Sequence, residues 1–368
     1  MRLGVDAYVD TGALRPGDVE VVGGRVTAVD LPPAGTGRVV ARGFVDLQVN
    51  GFAGVDLLAA DADGVRAASA ALAATGVQAW QPTLITSAEA DTVRALRTIA
   101  GVVASGDHGG AHIVGVHLEG PFLAPARLGT HPFEHRRDPD PDLLRRLLDA
   151  GPVTYATLAP ELPGALDLVD DLVRRGIVVA LGHSAADAAA AHAGFDRGAR
   201  AVTHLFNAMS SFSPRRPALP GVALSRADVV VPIIVDGHHL APETVRLTFA
   251  AARGRTALVT DAVAAAGLGD GDYRLGDVAV RVADGVVRRA DGTLAGSALT
   301  MPDAVSNVVH LGIPLVEAVA AATSVPAALL GRPELASLRP GSPADLVVLE
   351  GDGGLHGVVA AGREAAAS

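Results

Sequence analysis

Glu119, His183 and His204 are the residues of this chain best suited to chemistry. Each closes a short apolar run that reads as a strand, in HLE (117–119), LGH (181–183) and VTH (202–204). A lone strand-end histidine is usually a hydrogen-bonded structural residue. Two imidazoles and one carboxylate on converging strands are different, because they supply the ligands of a catalytic zinc-type site with one position open to water. The donor set is borderline-hard, so zinc is the first choice for one divalent ion per subunit, with iron, manganese and cobalt as alternatives. Asp261 follows the apolar run ALVT (257–260). An acid there is costly to bury without a cationic neighbour. A metal-activated water would be such a neighbour, and Asp261 would then move the protons; the plain alternative is a helix-capping aspartate. Gln48 and Asn50 share one face of their strand because side chains alternate with period two. Both are neutral amides and poor ligands, so they read as hydrogen-bonding supports of the site. His117 shares the face of Glu119 and reads the same way. His108, His112, His135, His192, His310 and His356 fall on predicted helices or loops and read as surface residues.

The composition narrows the chemistry. The 368 residues include no cysteine and no lysine; all 30 basic residues besides histidine are arginine. Disulfides, thiolate metal sites and cysteine nucleophiles are excluded. So are a Schiff-base lysine and a metal pair bridged by a carboxylated lysine. The net charge of −10 comes with no basic stripe, which argues against a nucleic-acid partner. There is no run of 18 uninterrupted apolar residues, and the N-terminus lacks the charged and apolar regions of a signal peptide, so no membrane association and a cytoplasmic location are expected. Arg215 and Arg216 lie in a Ser/Pro-rich loop, SSFSPRRPALPG (210–221). That loop is long enough to reach a neighbouring subunit, and arginine suits phosphate.

These residues need elements to hold them. Eight strand candidates run along the middle of the chain, at 44–50, 78–85, 113–119, 153–159, 177–183, 201–207, 231–237 and 257–262. Segments of helical period lie between them, for example 91–104, 165–176 and 243–254. Alternating strands and helices imply βαβ units and a parallel sheet. Eight such units predict a (β/α)8 TIM-like barrel, and the polar residues at the C-terminal strand ends would converge on its mouth. A doubly wound open sheet is the competing arrangement, but no GxGxxG or GxxxxGK[ST] motif is present. Both chain ends read as short strands broken by glycine, including 344–350 and 354–364. The expected division is a β-sandwich built from residues 1–42 and 336–368 around a barrel of residues 43–335.

The strand-end segments, in order, resemble the N-acetylglucosamine-6-phosphate deacetylase family of the amidohydrolase superfamily. The matching segments are GFVDLQVNGFAGVD (43–56), QPTLIT (81–86), HLEGPF (117–122), GTHP (129–132), TLAPE (157–161), GHS (182–184), THLFNAM (203–209), DGHH (236–239), LVTDAVAAAG (258–267) and GTLAGSALTM (292–301). SLRPGSPADLVVL (337–349) is similar to the closing β-domain of that family. The resemblance implies hydrolysis of the acetamide of N-acetylglucosamine 6-phosphate by a homodimer. It places the metal on Glu119, His183 and His204, the acid/base role on Asp261, and contact with the acetyl carbonyl on His131. Sugar-phosphate contacts fall on Thr130, Asn207, Ala208, His239 and the turn Leu294, Ala295 and Gly296. Arg215 falls where an arginine crosses the dimer to the phosphate, with Arg216 able to share that role. Many superfamily members carry His-x-His where this chain has Gln48-Val49-Asn50, so one metal rather than two is expected. Alternative functions left open are deacetylation of N-acetylgalactosamine 6-phosphate and a non-catalytic sugar-phosphate-binding scaffold.

Overall fold

The structure, a computed structural model, describes residues 1–360 and 363–366. Its centre is a curled parallel sheet. Strands one to six are Phe44–Val49, Val77–Ile85, Val116–Glu119, Val153–Leu158, Val178–Leu181 and Ala201–Val202, each paired in parallel with the next. Strands seven and eight, Val231–Ile233 and Thr256–Leu258, pair with one another. Backbone bonds from Val202 N to Val230 O and Leu205 N to Pro232 O tie strand six to seven. Bonds from Asp261 N to Gln48 O and Asn50 N to Ala262 O tie strand eight back to one.

Every residue of strands one and two is buried. That is the pattern of a parallel strand covered on both faces, and it explains why FVDLQV and VQAWQPTLI read as continuous rather than alternating runs. Helices with apolar stripes cover the outside. In Ala165–Arg174, for example, Ala165, Leu168, Val169 and Leu172 are buried at helical spacing.

A six-stranded sheet collects both ends of the chain, in the order Ala13–Pro16, Ala7–Asp10, Val39–Arg42, Leu346–Leu349, Leu355–Ala360, Arg363–Ala366. The expected strand 354–364 overlaps the last two; residues 361–362, like 367–368, lie outside the described residues. Period-two alternation divides this sheet between two cores. Val39, Ala41, Val347 and Leu349 pack into the main core. Val40, Leu346 and Val348 face a second core with Val5, Val19, Val21 and Val26. Val19, Val21 and Val26 lie on the hairpin Asp18–Val22/Arg25–Leu31, which turns at Gly23-Gly24.

The structure corrects the sequence reading in two respects. Strands five to eight are two to four residues long, shorter than expected, because the chain leaves extended geometry just before the polar residues at their ends. And residues 271–288, not assigned as strands from the sequence, form an antiparallel flap of three strands, Gly271–Leu275, Val278–Ala283 and Val286–Arg288. The alternating pattern of VAVRVA and the turns LGD and ADG were the available signal.

Beneath the strand ends lies a fully buried acid, Asp46. It accepts from Thr260 Oγ1 at 2.6 Å and from the amides of Gln48 and Thr260. Burial pushes its pKa up to about 7, against the pull of those hydrogen bonds. The unfolded value is about 3.9. Between the two values the folded chain holds a proton that the unfolded chain has released. Stability at this site therefore falls as pH rises from about 4 to about 7 and stays lower above that window. Asp46→Asn mimics the protonated form and is expected to raise the melting temperature more at pH 8 than at pH 5. Equal shifts at both pH values in thermal melts would remove this account of Asp46.

Candidate active site

Glu119 is the last residue of strand three, while His183, His204 and Asp261 lie just beyond strands five, six and eight. These last three carry positive φ angles of 46°, 31° and 50°. Side chains with a Cβ avoid this region because they crowd the backbone. Such strain persists only where the surrounding structure fixes it, and it concentrates at functional sites. It is also why the strands end early.

Glu119 Oε1, His183 Nε2 and His204 Nε2 form a triangle with every side 3.1 Å. His183 Nδ1 lies 2.9 Å from the carbonyl oxygen of Arg127, which can only accept, so Nδ1 carries the proton. Its Nε2 lone pair therefore points at the other two ligand atoms, an arrangement that a cation between them would satisfy. A tetrahedral ion with bonds of 2.0–2.1 Å would space its ligands about 3.3 Å apart. The residues present thus fit a divalent metal, and all three are buried. Burial alone would raise the Glu119 pKa, but the adjacent imidazoles of His183 and His204 hold it well below the usual carboxylate range.

Asp261 faces the triangle through two amides. Gln48 Nε2 donates to Asp261 Oδ1 at 3.0 Å and to Glu119 Oε1 at 3.1 Å. Asn50 Nδ2 donates to the same Asp261 oxygen at 2.7 Å. Oδ1 is thereby held as an acceptor, which leaves Oδ2 to carry a proton. Burial, and secondly the charge of Glu119, push Asp261 up to about 7.

His131 is held by Thr86, whose backbone N–H donates to Nδ1 at 3.2 Å. The imidazole therefore carries its proton on Nε2, which lies 3.8 Å from Glu119 Oε2. Burial and the neighbouring His183 lower its pKa to about 3, so the ring is neutral with an N–H aimed toward the triangle. His117 sits apart from the triangle, between Thr157 Oγ1 at 2.7 Å and Thr83 Oγ1 at 3.3 Å, and burial lowers its pKa to about 4.

A cleft of about 230 Å³ joins Glu119, His183, His204, Asp261, His131 and Asn50 to Thr130, Asn207, Ala208, His239, Leu294 and Gly296. The Oδ1 of Asn50 and the Oγ1 of Thr130 are buried without a hydrogen-bond partner among the described residues, leaving two polar atoms for a ligand. His239 is oriented by Asp236, 2.7 Å from its Nδ1; against burial, that bond draws Asp236 down to about 2. At Gly296, with φ of 64°, a Cβ would come within 2.7 Å of the Asp261 carbonyl, so only glycine lets this turn approach.

Not every candidate reaches the cleft. Ala295 is fully buried behind it. Arg215 and Arg216 are exposed and line a separate cavity with Arg127 and Ser210. The remaining histidines lie away from the cleft, but several have partners. His112 is on a strand, His108 accepts from the Ile113 amide, and His135 lies 3.7 Å from Asp277 of the flap. Thr86, Ile85, Ile234, Leu275 and Thr293 were not singled out from the sequence. Thr86 closes the segment QPTLIT, where its position one residue past a buried strand was the only signal.

The fold and the site define a metal-dependent hydrolase, and the comparisons with known proteins agree. The chain belongs to the amidohydrolase family, whose sequence pattern matches residues 39–365. It is 36% identical to the N-acetylgalactosamine-6-phosphate deacetylase of Escherichia coli O157:H7, across 94% of this chain and 93% of that protein. It is 38% identical to the human N-acetylglucosamine-6-phosphate deacetylase, across 87% of this chain and 81% of that one. Among solved structures it is similar to a mutant N-acetyl-D-glucosamine-6-phosphate deacetylase of Mycobacterium smegmatis in complex with N-acetyl-D-glucosamine-6-phosphate. The TM-score is 0.92 at 38% identity, covering 99% of this chain and 98% of that one. No helix among the described residues is long and apolar enough to cross a membrane.

Proposed function

We propose that this chain hydrolyses the acetamide of N-acetyl-D-glucosamine 6-phosphate to D-glucosamine 6-phosphate and acetate. The observation that carries the reading is the Glu119–His183–His204 triangle facing an amide-clamped Asp261 in one cleft, in a chain similar to deacetylases of that substrate. An acetamide resists attack because its carbonyl is resonance-stabilised and its amine leaves poorly. Glu119, His183 and His204 would hold a divalent ion, zinc by preference, which would supply a Lewis acid able to polarise a carbonyl and acidify water. Asp261 Oδ2 takes the proton of the attacking water and returns it to the departing sugar nitrogen. The Nε2–H of His131 donates to the carbonyl oxygen as it becomes an oxyanion. Asn207, Ala208, Thr130, His239 and the turn at Leu294 and Gly296 hold the sugar phosphate. Gln48 and Asn50 stand where a second metal would need imidazoles, which favours one ion.

Gln48 steers both carboxylates, so Gln48→Leu is expected to lower kcat roughly 10- to 100-fold and to weaken metal binding. Single-turnover kinetics alongside metal titration check this; an unaltered kcat would remove Gln48 from the mechanism.

For the architecture, we read a closed (β/α)8 barrel of residues 43–335 and a β-sandwich of residues 1–42 and 336–368. The hydrogen bonds joining strands six to seven and eight to one support closure, and the second core shared by both chain ends supports the sandwich. The assembly is a cytoplasmic homodimer in which Arg215, set apart from its own cleft, reaches the phosphate of the neighbouring site. The similarity to the Escherichia coli protein supports a second reading, N-acetylgalactosamine 6-phosphate as substrate.

The decisive test measures acetate release from both phosphorylated sugars and from unphosphorylated N-acetylglucosamine, before and after chelation. Release only from a phosphorylated sugar, abolished by chelation and restored by one equivalent of zinc, is expected. Equal rates without the phosphate would overturn Arg215 and His239 as its ligands.

A further inference from the structure

Asp261 stands on a backbone that must be held in place. Its φ of 50° is one that a residue with a Cβ avoids, because the side chain crowds the neighbouring carbonyl. Its side chain is anchored at Oδ1 alone, by Gln48 and Asn50. The direction of Oδ2 therefore depends on what fixes the two peptide groups on either side of the Asp261 Cα.

All four polar atoms of those peptide groups are engaged. Asp261 N donates to Gln48 O at 2.9 Å, and Asp261 O accepts from Ser297 N at 2.9 Å. Thr260 O accepts from the Ser297 hydroxyl at 2.5 Å, and Ala262 N donates to the Thr260 hydroxyl at 3.2 Å. Having accepted that bond, the Thr260 hydroxyl has its own hydrogen left for Asp46 Oδ2, 2.6 Å away. Asp46 Oδ1 in turn accepts from the amides of Gln48 and Thr260, so one carboxyl ties strand one to the chain that carries Asp261. Ser297 reaches the Asp261 carbonyl because Gly296 has no Cβ to keep the turn away. Asp46, Thr260 and Ser297 are all buried, and none of them lines the cleft.

We propose that Thr260 and Ser297, the first anchored by Asp46, are positioning residues of the reaction, locking the Asp261 backbone so that its free oxygen stays directed into the cleft. This inference rests on the reading of Asp261 as the group that moves the protons. Their bonds end on Asp261 and its neighbours rather than on Glu119, His183 or His204, so their effect should fall on turnover and leave the metal in place. A misplacement of about 1 Å can cost about a hundredfold in rate.

The experiment measures kcat, KM and bound metal for acetate release from N-acetylglucosamine 6-phosphate. Thr260→Val keeps the branched shape and loses the hydroxyl; kcat is expected to fall roughly 10- to 100-fold, with KM and metal content little altered. Thr260→Ser keeps the hydroxyl and should restore most of the rate. Ser297→Ala, the milder variant, removes one bond and should lower kcat about 3- to 10-fold. The discriminating step repeats Thr260→Val and Ser297→Ala in an Asp261→Asn background. Residues that act only through Asp261 have nothing left to position there, so the residual kcat should change less than about twofold. Losses that multiply fully in the double variants, or wild-type kcat in folded Thr260→Val and Ser297→Ala, overturn the inference and leave the deacetylase reading intact. A wild type that releases no acetate, or an Asp261→Asn variant with wild-type turnover, removes the reading on which the inference rests and the inference with it.

Discussion

Asp261→Asn is expected to reduce kcat by roughly 10²–10⁴-fold, the usual contribution of a positioned general base and acid, while the bound metal stays near one ion per chain. The prediction follows from which atoms Asp261 uses. Its Oδ1 is occupied by Gln48 and Asn50, and the triangle of ligand atoms is complete without it. Asparagine can be held in the same place, its Oδ1 accepting from both donors and its NH2 taking the position of Oδ2. What it cannot do is accept a proton from water. The loss should therefore appear in kcat more than in KM for the sugar phosphate. Metal analysis and steady-state kinetics on the same preparation give the answer. A variant that keeps wild-type turnover would show that another group moves the protons, and one that loses its metal would show that Asp261 is a ligand.

Glu119→Gln should do the reverse and strip the site. Glu119 Oε1 is the only anionic atom of the triangle and lies 3.1 Å from both imidazole nitrogens. A neutral amide oxygen binds a divalent ion far less well than a carboxylate, and the amide nitrogen cannot bind it at all. Dialysed protein should carry little metal. A bound ion supplies several kcal/mol of transition-state stabilisation, and each 1.36 kcal/mol is tenfold in rate, so activity should fall by at least about 10³-fold. Excess zinc should restore part of it in proportion to the metal regained. Full metal content after dialysis would mean that the two imidazoles suffice and that Glu119 serves some other purpose. The two variants form a pair: one loses rate and keeps metal, the other loses metal and rate together.

Much of the site is legible in residue types and short patterns alone. Glu119, His183, His204 and Asp261 stand out because each ends an apolar run with a group that is expensive to bury. Cysteine and lysine are absent, which removes thiolate and carboxylated-lysine alternatives by composition alone. Gln48 and Asn50 were legible as a same-face pair because strand periodicity has only two phases. Other contributors were not. Thr86 acts through its backbone N–H on His131, and a backbone donor leaves no mark on residue type. Leu275 is one apolar residue among many, and its place in the lining of the cleft comes from the flap folding back on Ile85.

The sequence by itself determined the chemistry available to this protein: which atoms can bind a metal, which acid can move a proton, and that alternating strands and helices would bring strand ends together. Those follow from residue types and short periodicities, which are local. Only the tertiary structure decided the 3.1 Å triangle, the proton positions on His183 and His131, and the oxygen of Asp261 left to work. It also decided that Arg215 stands away from the cleft of its own chain. Each of these depends on contacts between residues tens to hundreds of positions apart, such as Asn50 with Asp261 or Thr86 with His131. Such contacts are fixed by packing and backbone geometry over the whole chain, which no local pattern encodes.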